Sequence, residues 1–106
     1  MSDLETERRE LHRKVELFHA LQALKTNPNF RKLIEVGFCR EEVLRLNRMA
    51  NREMTTEGKL AISQRAQAGP VLEDFLTRVE NEGETARESI PEVDALIAQQ
   101  ADEHES

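Results

Sequence analysis

His12, Glu16 and His19 are the residues whose spacing comes nearest to a chemical site. Steps of four and three put them on one helical face, and Glu16 with His19 spells the Glu-x-x-His of carboxylate-bridged di-iron helices. That chemistry needs a second Glu-x-x-His and two further inward glutamates, whereas the third histidine, His104, stands at the end of the chain. The trio is therefore read as surface or interface residues beside an apolar stripe, with Glu16 in local ion pairs, and neither a metal nor another cofactor is expected. The single Cys39 forms no internal disulfide, and one thiol with scattered histidines makes no zinc site. Its position near a helix start is one where a thiol pKa can fall, but a small apolar core residue is the commoner fate of a lone cysteine. Nucleophilic catalysis needs a Ser, Cys or Thr beside a base that a third group orients, and no such grouping is spelled out. The four glycines, Gly37, Gly58, Gly69 and Gly83, are isolated, so no glycine-rich loop cradles a phosphate. The expectation is a chain that is not an enzyme and has no small-molecule substrate.

The elements that would position any site are helices. Leu4, Leu11 and Phe18 fall seven apart, with Val15, Leu17, Leu21 and Leu24 widening the stripe, which predicts one long helix over residues 3 to 26. Asn27 can cap a second helix whose first position is Pro28. That helix is expected to turn Phe30, Leu33 and Ile34 inward and to stop at Gly37, with Phe38 packing back on Leu33. A third helix, about residues 40 to 51, sets Val43, Leu46 and Ala50 on one side and Arg45, Arg48 and Arg52 on the other. Thr55 or Thr56 can cap a fourth, which carries Leu60, a run of small residues, then Leu72, Phe75, Leu76 and Val79. Gly69-Pro70 in its middle predicts a kink or short break, because proline lacks the donor and clashes with the preceding turn. Gly83 is expected to end it, and Ser89-Ile90-Pro91 to start a last helix with Val93, Leu96 and Ile97. β-Branched residues never alternate over a useful length, so the fold class is all-α: a small helical bundle with a short helix pair around Gly37.

At 106 residues the chain suits one domain, read as 1–100, followed by an acidic flexible tail over 101–106. Charged residues make up 34% and hydrophobic ones 38%, with four phenylalanines as the only aromatics, so the apolar supply is lean and self-association would help. Apolar stretches are far shorter than the roughly 20 residues that cross a bilayer. Met1 to Arg9 mix acids and bases without an apolar leader, and a reducing interior compartment is expected. The net charge of −6 is unevenly spread: Met1–Met54 carries 11 bases against 9 acids, and Thr55–Ser106 carries 4 against 12.

The run NPNFRKLIEVGFCREEVLRL, with Asn27, Pro28, Phe30, Gly37, Phe38, Glu41, Glu42 and Arg45, resembles small helical proteins of tailed bacteriophages, often encoded near virion structural genes. Pro91 to Asp94 extends the likeness. The resemblance implies a phage origin and a head-assembly or virion-associated role, in the virion or the host cytoplasm, without defining catalytic residues. Joined to the amphipathic patterns, it gives an expected partner that is another phage structural protein or a second copy of the chain. The expected contact residues are Leu4, Leu11, Val15, Phe18, Arg45, Arg48, Leu72 and Phe75. Two alternatives stand beside it. An acidic accessory protein could inhibit a host defence or transcription protein by imitating nucleic acid, through Glu80, Glu82, Glu84 and Glu88. The two helices around Gly37 could be a helix-turn-helix, although Leu33 occupies the site where that motif needs a small residue and the chain lacks a basic footprint.

Overall fold

The computed structural model describes residues 3–105, with side chains through residue 103. The fold is all-α, with no strand among the described residues. Helix α1 spans Asp3–Lys25, with Asp3 and Glu5 in its first turn and Lys25 in its last, each sign opposing the local end of the helix dipole. Asn27 then caps the short turn α2, Pro28–Phe30, its side-chain oxygen accepting from the Asn29 amide at 2.9 Å. The helical path continues without a turn through Arg31–Glu41, where it takes π geometry, and on into α3, Glu42–Arg52. Thr55 caps α4, Thr56–Ala66, by accepting from the Gly58 amide at 2.9 Å. Helix α5 runs uninterrupted over Ala68–Glu105.

Two compact units result. The terminal unit draws on Met1–Gln22 and Arg78–Ser106, and the central unit is Ala23–Thr77. In the terminal unit α1 and α5 lie antiparallel, since Phe18 faces Gly83 while Arg8 reaches Asp94 at 2.6 Å. On α5 the inward positions Val79, Gly83, Ala86, Ile90, Val93 and Ile97 step by four and three, the spacing of a coiled-coil seam. Opposite them stand Leu4, Leu11, Val15 and Phe18 of α1. The largest side chain in the seam meets its smallest position. A Cβ on Gly83 would sit 2.7 Å from Phe18 Cγ, so the helices approach this closely only because residue 83 has no side chain. Arg87 caps the contact with its guanidinium carbon 5.8 Å from the Phe18 ring centroid. The Arg8–Asp94 pair is half-exposed, and such surface pairs contribute about 1 kcal/mol or less.

The central unit buries Cys39, Leu46, Ala50, Ala66 and Gly69. Its core is built from small residues that let backbones approach. A Cβ on Gly69 would lie 2.7 Å from Val43 Cγ2 and 2.9 Å from the Phe38 carbonyl oxygen. The break expected near Gly69-Pro70 sits at Gln67, between α4 and α5. Pro70 falls in the first turn of α5, where amide donors have no intrahelical partner to lose.

Four expectations are corrected. Gly37 ends nothing: no glycine takes a positive φ, and the chain passes through it in π geometry, so the pair of helices around a turn is absent. The helix-turn-helix geometry goes with it. Leu33 is not inward but 69% exposed. Gly83 and Pro91 both lie inside α5 rather than at helix ends. Residues 101–105 continue α5, and Ser106 falls outside the described residues.

Candidate interaction surface

The eight residues expected to bind a partner separate into two groups. Leu4, Leu11, Val15 and Phe18 belong to the terminal unit, where they form the α1 side of the seam, Phe18 buried and the others half-buried. Their apolar surface is largely used within the chain. Arg45, Arg48, Leu72 and Phe75 belong to the central unit. Arg45 is held by its neighbours, donating through Nε to Glu42 at 2.7 Å and through Nη1 to the Met49 sulfur at 3.1 Å. Arg48 is exposed, Leu72 is half-buried, and Phe75 is 43% exposed.

The residues nearest to chemistry do not converge. His12 lines a groove of about 630 Å³ in the terminal unit with Glu5, Arg8, Arg9, Asp94 and Ile97, a set whose charges offset one another. His19 instead tilts against the Phe18 ring, with centroids 5.9 Å apart. Among the described residues no three of His, Cys, Asp and Glu are grouped to hold a metal ion. Cys39 is buried in the central unit, and burial is the main cause that lifts its thiol above the ordinary value. Glu73 and Glu35 add to the rise, and Arg40 opposes it. A thiol whose folded pKa is raised stabilises the fold fully below its unfolded pKa, and the contribution is lost as pH rises through the folded value. The expected outcome is slow alkylation of native Cys39 at neutral pH and an alkaline loss of stability that Cys39→Ala removes. Thermal melts across pH 7 to 10.5, run beside thiol titration, check both.

The chain matches no protein-family model, no curated protein and no solved structure. What distinguishes its surface is then its own chemistry. Among the described residues eleven large apolar side chains are exposed, and of these Leu17 and Leu96 are in the terminal unit. The other nine are in the central unit: Leu33 and Phe38 on the π segment, Leu44 and Met49 on α3, Val71 and Phe75 on α5, together with Leu24, Met54 and Leu60. Exposed apolar groups standing singly are ordinary on a protein surface, whereas groups gathered on one surface mark an interaction site.

Charge divides along the same boundary. The central unit carries nine bases and seven acids, the terminal unit six bases and fourteen acids. Arg31, Lys32, Arg48 and Arg52 make no ion pair with a described residue, so cationic groups accompany the exposed apolar ones. No helix among the described residues is long and apolar enough to cross a membrane.

The sequence stripes pointed to apolar residues correctly but could not tell which of them the chain would cover itself. Leu33 and Leu44 were missed. A signal for Leu44 was present, since it stands well off the Val43-Leu46-Ala50 face; Leu33 became an outward residue only through the π path.

Proposed function

We propose that this chain is a non-enzymatic protein that works by binding another protein through the exposed apolar side chains of its central unit. In the setting that the phage resemblance implies, it would act as a virion-associated or head-assembly component, and a second copy or another phage structural protein would be the partner. The supporting observation is that nine of the eleven exposed large apolar groups among the described residues fall in one unit, while the other unit spends its apolar stripe on itself. Arg48 and Phe75 stay in the expected contact set, and Leu33, Phe38 and Leu44 join it.

The test uses Leu33→Glu and Leu44→Glu. Both positions are more than half exposed, so stability should stay within about 0.5 kcal/mol of the native value. Binding or self-association should weaken roughly tenfold or more if either residue anchors the contact. Sedimentation of each variant, with mass spectrometry of purified virions, reads this out. A native chain that remains monomeric at high concentration and is missing from virions would sink the reading.

The division of charge favours one other reading, in which the acidic terminal unit imitates nucleic acid and captures a basic host protein. It predicts capture that weakens with salt and is lost when Glu80, Glu82, Glu84 and Glu88 become glutamine. Capture unaffected by those changes would end it.

A further inference from the structure

Most π-helical geometry is confined to single turns inside α-helices, frequently at functional positions. Here it extends over Arg31–Glu41 and closes with the Glu42 amide donating to the Gly37 carbonyl, five residues back. The apolar residues at least half-buried along this path are Phe30, Ile34, Val36, Cys39, Val43, Leu46 and Ala50, and the set without Val36 is separated by four, five, four, three and four. The single step of five, from Ile34 to Cys39, is what a hydrogen bond to the fifth residue accommodates. A second inward set is written over the first. Val36, Cys39, Val43, Leu46 and Ala50 are separated by three, four, three and four, the spacing of an unbroken α-helix, and Val36 is already half-buried. No described residue here has a positive φ, so both paths share one region of backbone conformation.

Gly37 biases the choice. A Cβ at this position would lie 2.9 Å from the Lys32 carbonyl oxygen, the backbone atom five residues back that only the π path brings so close. An ordinary α-helix does not bring the carbonyl five residues back this close to a Cβ.

We propose that Arg31–Glu41 is a two-register element that rests in the π register and passes as a unit into the α register when the balance is tipped. In the π register Leu33 and Phe38 lie about one turn apart and are exposed together. In the α register five residues span about 140° around the axis, so Leu33 and Phe38 separate, Ile34 turns outward and Val36 takes its place. A partner that grips Leu33 and Phe38 holds the π register by binding it preferentially. The register change itself does not depend on what the partner is, because its readout is a hydrogen bond inside the chain.

The experiment is through-hydrogen-bond NMR coupling on the full chain. In the native protein the Glu42 amide couples to the carbonyl of residue 37. In Gly37→Ala the coupling moves to the carbonyl of Phe38 in the larger part of the population, because the added methyl meets the Lys32 carbonyl oxygen in the π register. A folded Gly37→Ala variant that keeps its coupling at residue 37 overturns the proposal. Should that variant fail to fold, the native chain decides: relaxation-dispersion NMR that detects exchange of the residue 37 to 42 amides with a minor state supports two registers, and amides without such exchange overturn them.

Discussion

Gly83→Ala lowers stability by about 1–3 kcal/mol, whereas the same substitution in an unconstrained helix interior raises it by about 1 kcal/mol. The reversal comes from one contact. The added methyl would point into Phe18, meeting its Cβ first and with the ring carbon Cγ only 2.7 Å away, so α1 and α5 must part, because a change of rotamer leaves the Phe18 Cβ where it is. Phe18→Ala, which removes the ring but keeps Cβ, costs about 3–5 kcal/mol. The double variant keeps the contact between the two Cβ atoms and loses only the one with the ring, so its cost falls below the sum of the two only as far as α1 settles into the space the ring leaves. Urea denaturation of the four proteins gives the coupling directly. A Gly83→Ala chain that melts higher than the native one would show that the two helices do not meet at this point.

Pro91→Ala acts in the opposite direction and should stabilise by about 1–2 kcal/mol, a rise in melting temperature on the order of 5–10 °C. Pro91 lies inside α5 and is exposed, so its ring packs against little, yet it leaves the Arg87 carbonyl without the amide that would normally pair with it. Nearby, the Ser89 hydroxyl donates to the Thr85 carbonyl at 3.0 Å, which engages one backbone oxygen but not that of Arg87. Part of the gain is offset because alanine leaves the unfolded chain freer than proline does. A fall in melting temperature would mean that a bend at Pro91 serves the packing of Ile90 and Val93.

Both positions also mark where reading the sequence succeeds and where it stops. Local chemistry was legible where it acted alone: Asn27 and Thr55 cap as their types suggest, and the Leu4-Leu11-Phe18 repeat forms α1 nearly to its expected ends. Gly37, Gly83 and Pro91 were read as helix boundaries on the same reasoning, and all three are interior. At Gly83 and Pro91 tertiary packing overrides local preference. The alternating steps of four and three continue from Val79 through Ile97, and burying that seam outweighs the cost of a glycine and a proline within it. Followed past Gly83, the repeat alone would have identified the long helix. The step of five between Ile34 and Cys39 was likewise visible, but an eleven-residue π path has almost no sequence precedent to argue from. The interaction surface was the least legible part. A stripe shows which residues seek cover, and whether the chain supplies that cover depends on which stripes meet.

Gly83 has one more effect, on alignment. A slip of α1 along α5 by a single heptad preserves the apolar pattern, so hydrophobicity alone would tolerate several offsets between these helices. Sliding one way brings Phe18 onto Ile90 and sliding the other way brings it onto Leu76, and at each a branched side chain already fills the room the ring requires. A missing side chain thereby makes the pairing single-valued, much as one notch admits one key, and an α1 supplied by a neighbouring copy would have to obey the same offset.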